Sequence, residues 1–531
     1  MLPACSNNPI SSSSSSSYSS DLHNLKKPKT PEHHLPMKNA TTFNFLHTHI
    51  SANPRFWLLA AFLSAQALIL FITRSAPLSL SPKPPATNQP HFIQHRFPTE
   101  SDVRDQRSNR PSIPDDPECQ SGRVYIYDIP SMFTKDLVLS ECNDLHPWRW
   151  QCGIGPNDGY GKDAVELAGI LPDNFVPAWY RTNQFSLELI FHYRMLNYRC
   201  RTREPESATA FYMPFYAGLA VAKYLWINDT AKRDWHCNMF LKWVKNQTYW
   251  QKNKGSDHFI TLGRITWDFR RLSDPGREWG SSFLNLPEME KVMRFNLEKA
   301  PGIDLDISVP YPTGFHPHSK KQILQWQSFL RKQNRTSLFT FIGASHGSLD
   351  DDFRSLLLSY CYNESTACHV VDCALTPCNN GSSVVLKASL SSHFCLQPKG
   401  DSYTRRGVFD CMVAGSIPVF FWKRTAYDQY QWFLPGKPKS YSVYIDHEDV
   451  RKGKSIRKVL EGYSKEEVRK MREKVIETVP SLVYARPKDP SESIGDAFEI
   501  AVEGVLGKLR YEKIWNEEWK DDEDDENVLT R

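Results

Sequence analysis

A chain of 531 residues that is 40% hydrophobic and 12% aromatic has room for two or three domains with large cores. Its formal net charge of +5 is small for that length and its basic residues are spread along the chain, which argues against nucleic acid as a partner. Twelve cysteines, eleven of them after residue 118, and sequons at Asn228, Asn246, Asn334, Asn363 and Asn380 point to an oxidising secretory compartment with N-glycosylation.

Residues 1–55 are a polar tail with a serine run at 11–17, too poor in apolar residues to build a core. Phe56–Ile72 is a stretch of seventeen uncharged residues between Arg55 and Arg74, at the short end of what spans a bilayer. It starts far from the N-terminus and has no obvious cleavage site, so the expectation is an uncleaved signal anchor with the tail inside and the rest lumenal. Residues 73–117 hold nine prolines and few apolar residues, as an extended stem would. The folded part begins near Cys119. Gly122–Pro130 alternates like a first strand, and Gln184–Tyr198 spaces Phe185, Leu189, Phe191, His192 and Leu196 for one buried helix face. Thr209–Tyr216 and His258–Leu262 follow as buried strands, leading into the loops PFYAGL and GRITWDFRR. Strands alternating with helices predict a mainly parallel sheet whose ligand crevice lies beyond the strands' carboxyl ends, where those two loops would sit.

A second α/β unit is expected from Ser337, with a strand at Leu338–Ile342, the glycine turn GASHG at Gly343–Gly347 and a helix at Phe353–Leu358. Phe394–Gln397 and Ile417–Phe421 read as strands flanking a helix, marked by Val408, Cys411 and Met412 and closed by Gly415 in the left-handed conformation. Arg405 and Arg406 fall in that helix's first turn, where the dipole disfavours positive charge. A sugar nucleotide's pyrophosphate would remove the conflict; pairing with Asp401 and Asp410, or exposure to solvent, would also do so. Helices at Ser464–Ile476 and Ser493–Leu509 end this unit, and residues 516–531 are an acidic tail. The domains expected are therefore 1–55, 56–72, 73–117, 118–336, 337–515 and 516–531.

Cys361, Cys368, Cys373 and Cys378 lie near His369 and Asp372, but their spacing fits no paired zinc pattern, and disulfides within a surface loop are the better reading. Eleven cysteines cannot all pair, and Cys411, on a buried helix face, is the expected free one. Asp304 and Asp306 form a DxD triplet, read as structural, so no metal site is expected. The candidate bases in the first unit are Asp268, His192, Glu188 and His258. Asp268 sits between Trp267 and Phe269 with Arg264, Arg270 and Arg271 close by, which suits a sugar site and equally a structural ion-pair knot.

Taken together, GRVYIYDIP, QFSLELIFHYRM, PFYAGL, HFITLGRITWDFRR, VPYPTGFHP and the segment Phe394–Phe421 closely resemble the plant exostosin-like glycosyltransferases of family 47, in particular the xyloglucan galactosyltransferases, over roughly residues 118–510. The resemblance implies a GT-B fold of two facing Rossmann-like domains, with the acceptor mostly on the first and the donor nucleotide mostly on the second. It implies a single-pass type II Golgi membrane protein that moves galactose, with inversion, from UDP-galactose to xylose side chains of xyloglucan, without a cofactor or a required metal. By the same resemblance Gly343, Lys399, Ser402, Tyr403, Thr404, Arg405 and Arg406 would line the donor diphosphate and Asp410 would meet the ribose, although many relatives carry Glu there. Phe215, Tyr216, Arg264 and Trp267 would line the acceptor, with Asp268 ahead of His192 as base. The runners-up are another UDP-sugar, another hemicellulose or pectin acceptor, and a catalytically silent partner in a Golgi wall-synthesis complex.

Overall fold

The strands of the first half are, in chain order, β1 (Val124–Ile126), β2 (Lys162–Asp163), β3 (Tyr180–Arg181), β4 (Arg201–Thr202), β5 (Ala210–Met213), β6 (His258–Thr261), β7 (Met293–Asn296) and β8 (Asp306–Ser308). Six of them form a sheet in the order β4-β1-β5-β6-β7-β8, and each of its pairs is parallel. The sequence explains the choice: Ala210-Phe211-Tyr212-Met213 and His258-Phe259-Ile260-Thr261 are buried at every position, as strands covered on both faces must be. The helices of this half that matter below are α1 (Leu187–Leu196), α2 (Ala217–Tyr224) and α3 (Thr230–Val244). Helix α1 is two to three residues shorter at each end than its apolar pattern predicts.

This computed structural model describes residues 119–139, 154–225, 227–272, 279–345, 352–378 and 382–511. The expected anchor at 56–72, the stem, the acidic tail and Asn380 lie outside the described residues. Among those described, no helix is long and apolar enough to cross a membrane.

Helix α4 (Lys320–Lys332) leads into a second sheet built from β9 (Ser337–Gly343), β10 (Cys368–Asp372), β11 (Ser392–Gln397), β12 (Ile417–Phe420) and β13 (Val443–Tyr444). Its order is β10-β9-β11-β12-β13, again with parallel pairs throughout. Helix α5 (Phe353–Asn363) follows β9, α6 (Arg406–Val413) joins β11 to β12, and α7 (Lys465–Thr478) comes later. Gly415 closes α6 with φ of 69°, the left-handed cap expected of it. The register Cys395↔Thr340 and Gln397↔Phe420 brings the carboxyl ends of β9, β11 and β12 to one edge. Because β9 has β10 on one side and β11 on the other, the chain leaves β9 and β11 in diverging directions, which opens a crevice beyond their carboxyl ends.

Two helices join the halves. In α4, Trp326 Nε1 donates to Val413 O at 2.9 Å and Gln327 Nε2 to Ile476 O at 2.8 Å, so this helix packs on the second half before the second sheet begins. The helical residues 497–511 do the converse. Their apolar spacing predicts the helix, but they return to α1 in the first half rather than staying with the second. Phe498 lies 5.3 Å from Phe191 and 5.8 Å from Tyr198, ring to ring, and Arg194 ion-pairs with the buried Asp496. A large buried side chain in such a place stabilises by about 2–3 kcal/mol.

Of the cysteine expectations, the disulfide reading holds, since Cys361 bonds Cys368 and Cys373 bonds Cys378, but the surface-loop placement fails for the first: Cys361 in α5 and Cys368 in β10 are both buried, so that bond ties helix to strand. Cys119–Cys200 is a third bond. Cys411 is not free. It bonds Cys395, because α6 packs its apolar face on the strand just before it, and the free cysteine among the described residues is the buried Cys237.

Candidate functional site

Three segments meet at the carboxyl edge of the second sheet: the end of β9 at Gly343, residues 398–405 after β11, and residues 421–425 after β12; the rest of the expected glycine turn, from 346, lies outside the described residues. Their side chains are strongly cationic. Lys399 Nζ stands 5.5 Å from the centre of the Tyr403 ring and 5.2 Å from that of Trp422, and Arg424 lies 4.6 Å over the Tyr403 ring. A Cβ on Gly400 would coincide with the Arg405 guanidinium, so glycine here leaves that side chain the place it occupies. The Nη2 of Arg405 is buried and has no hydrogen-bond partner among the described residues. Arg354, in the first turn of α5, points to the Gly343 turn, its Nη2 being 3.7 Å from where a Gly343 Cβ would stand. Burial and then the charge of Arg405 push Arg354 down to about 10, with Asp352 and Asp401 as the compensating carboxylates. Like charges converging with an unsatisfied buried donor are what a bound polyanion would relieve.

The sequence-predicted donor residues therefore divide. Gly343, Lys399, Ser402, Tyr403 and Arg405 lie at this edge. Thr404 and Arg406 turn to the first half. The Thr404 amide and hydroxyl both donate to Glu298 Oε2, at 2.9 and 2.8 Å, and Tyr311 OH lies 3.1 Å from the same hydroxyl. Arg406 donates through Nη1 to the Thr182 carbonyl and through Nε to Asp410 Oδ2 at 3.0 Å. Asp410 is thus engaged by Arg406, although burial holds its carboxyl above the ordinary range. Gln429 adds a second tie between the halves, its Oε1 accepting from Ser308 Oγ at 2.6 Å and from the Lys299 amide at 2.9 Å.

On the first half the loops after β5 and β6 lie beside each other. Trp267 is 60% exposed, a flat apolar surface at the carboxyl edge. Phe215 is instead core, stacked on Phe240 at 4.5 Å and edge-on to Phe133, so it supports the loop from behind. Tyr216 is buried with its hydroxyl 2.9 Å from His192 Nδ1. Arg264 stacks over Phe185 at 4.5 Å and donates from Nε to Asp268 Oδ2 at 2.5 Å. Asp268 is 3% exposed, and its other oxygen accepts from Trp279 Nε1 at 2.5 Å. Burial and the charge of Arg201 push the His192 imidazole down to about 4, so it is neutral at ordinary pH. His258 sits at the amino end of β6 between Asp257 and the Tyr127 hydroxyl, far along the strand from the crevice. Asp306, half of the DxD triplet, is consumed by Arg294 at 2.6 Å and Arg270 at 2.9 Å, as its structural reading expects.

Arg354, Arg424, Glu298 and Gln429 escape sequence reasoning. For Arg354 the signal was present: it is a cation in the first turn of a helix behind a glycine turn, the same oddity that marks Arg406. Arg424 is legible only once the segments after β11 and β12 come together, and Glu298 and Gln429 only once the two halves face each other. Asn228, Asn246, Asn334 and Asn363 are all exposed, which satisfies the steric requirement for glycosylation.

Residues 118–460 match the exostosin GT47 domain. The chain is 48% identical over 521 residues to xyloglucan galactosyltransferase XLT2 of Arabidopsis thaliana, covering 94% of this chain and 98% of that protein. It is 38% identical over 394 residues to xyloglucan galactosyltransferase MUR3 of the same plant, covering 74% and 63% of the two chains. To the Arabidopsis thaliana xyloglucan-specific galacturonosyltransferase 1 it is 37% identical over 394 residues, covering 74% and 58%.

Proposed function

The chain belongs to the exostosin GT47 family of glycosyltransferases, and on that premise we propose that it transfers galactose from UDP-galactose to xylose side chains of xyloglucan with inversion at the anomeric carbon. The observation that carries this reading is the likeness to XLT2, a galactosyltransferase by name, over nearly the whole of both chains. We read the two parallel sheets as the facing halves of a GT-B transferase and the cationic edge of the second as the diphosphate site. Lys399, Arg405, Arg354 and Arg424 would neutralise the leaving UDP, and Tyr403 would hold two of those cations in place by their contact with its ring. Trp267 would carry a sugar of the acceptor on its exposed face.

Inversion needs a base on the acceptor hydroxyl, and Asp268 is assigned that role ahead of His192. Each of its oxygens accepts one hydrogen bond and keeps a second lone pair, so a substrate hydroxyl can be received once Trp279 gives way. His192 is neutral, held down to about 4, and its Nδ1 is already engaged by the Tyr216 hydroxyl. Four side-chain cations supply the charge a diphosphate calls for, so turnover is expected to continue in excess EDTA; loss of activity on chelation, restored by a divalent ion, contradicts this. The protein is further assigned to the Golgi membrane through residues 56–72, with the folded part lumenal and other Golgi transferases as possible partners in a complex.

The full chain, made in a secretory host and given xylosylated glucan oligosaccharides, tests the reading with a panel of UDP-sugars. UDP-galactose is expected to be preferred by about tenfold or more, which is about 1.4 kcal/mol of discrimination. Preference for UDP-galacturonic acid, the reading favoured by the likeness to the galacturonosyltransferase, would overturn the sugar assignment.

A further inference from the structure

One buried carboxylate joins the two loops that carry the acceptor side. Glu188 lies in the first turn of α1 and is 1% exposed. Its Oε1 accepts two backbone hydrogen bonds, from the Gly218 amide at 2.6 Å and from the Gly263 amide at 2.9 Å. Gly218 opens α2 behind β5, in the loop that carries Tyr216; Gly263 follows β6, in the loop that carries Arg264, Trp267 and Asp268. Both positions pack tightly against their surroundings. A Cβ on Gly218 would stand 2.9 Å from Glu188 Oε1, and one on Gly263 would stand 2.8 Å from the Phe185 carbonyl and 3.2 Å from the Glu188 carboxyl carbon. The second oxygen, Oε2, is buried and finds no hydrogen-bond partner among the described residues.

We propose that Glu188 is the positioning residue of the acceptor site, fixing the loops after β5 and β6 relative to each other through its shared oxygen. This deepens the functional reading above and rests on it. The geometry that carries this is the shared oxygen: a single carboxylate atom accepts from the backbone of both loops, so their spacing depends on it. One oxygen does the work of two loops, an arrangement that makes the joint sensitive to the proton the carboxyl group holds. Burial raises the Glu188 carboxyl to about 7, against the opposing pull of the Gly263, Gly218 and Leu219 amides and of Arg264. The other titratable groups that sense it are Tyr212 and Tyr216 from β5 and its loop and Cys237 from α3, all raised by burial and so neutral near pH 7. The nearby His192 is neutral as well.

The test uses the full chain, with UDP as the donor-side probe and a xylosylated glucan oligosaccharide as acceptor. Glu188→Asp is too short to span both amides, and its acceptor KM is expected to rise about tenfold while the Kd for UDP stays within about twofold of wild type. Glu188→Gln keeps an oxygen for both amides but cannot ionise. It should recover most of the acceptor KM and lose the inflection near pH 7 that is expected in the wild-type acceptor kcat/KM. Equal losses in UDP binding and acceptor KM for Glu188→Asp, or an unchanged inflection in Glu188→Gln, would overturn the inference. Wild-type turnover is measured first: its absence removes the functional reading and the inference with it, whereas normal wild-type turnover with failed variant results removes the inference alone.

Discussion

Arg405→Ala and Arg406→Ala, adjacent substitutions of the same kind, are expected to fail for different reasons. Arg405 has a buried Nη2 with no partner among the described residues and lies close enough to Arg354 to depress it. Its removal takes away one charge-assisted hydrogen bond to a diphosphate, about 1.5–3 kcal/mol, so UDP should bind roughly 10- to 100-fold more weakly. The unliganded protein loses a like-charge contact, so its Tm should move by no more than about 2 °C. Arg406 is the reverse case. It is buried, donates to the Thr182 carbonyl across the halves and neutralises Asp410. Truncating it strands a buried carboxylate and a carbonyl, about 3 kcal/mol, which for a domain of this size is a fall of about 6–12 °C in Tm. Thermal unfolding with and without UDP, beside calorimetric titration of UDP, separates the two. Equal Tm losses in both variants, or unchanged UDP affinity in Arg405→Ala, would refute the division of the arginine pair.

Asp268→Asn should lower kcat by about 10²–10⁴ with UDP affinity retained, while His192→Gln should cost less than about tenfold; the opposite ranking would move the base to His192. Glu298→Ala leaves the Thr404 amide and hydroxyl without their acceptor, and Tm should fall by about 4–8 °C, corresponding to roughly 2 kcal/mol; an unchanged Tm would mean the halves do not depend on this tie. Acid should reveal His192. Its folded imidazole is held down to about 4, so below about pH 6.5 the unfolded chain binds a proton that the folded one does not, and stability is lost as pH falls between those values. In His192→Gln the slope of Tm against pH over that window should be shallower, and an identical slope would contradict the assignment.

What the sequence made legible was mostly local. The strand, helix and strand around Phe394–Phe421 appear as read, with Gly415 capping the helix, because a continuous apolar run and a 3.6-residue period are intrinsic to the segment. Long-range placement was not legible. The helix at 497–511 has a clear apolar face, yet nothing in its own residues says that Phe498 packs on Phe191. Cys411 looked like an isolated buried thiol because its partner Cys395 faces it only when α6 folds back on β11. Thr404 and Arg406 carry the right chemistry for a phosphate, but their direction depends on Glu298 and Thr182, which belong to the facing half. Phe215 followed the same logic: an aromatic in a special loop reads as a sugar platform, and Phe240 and Phe133 make it core instead.

The central claim is tested most directly by determining the product's structure. After incubation of the full chain with UDP-galactose and a xylosylated glucan oligosaccharide, linkage analysis and the anomeric coupling of the new sugar are measured by NMR. The account predicts a single β-linked galactose on a xylose residue. Galactose on the glucan backbone, an α-linkage, or no product from UDP-galactose where another UDP-sugar gives one would contradict it.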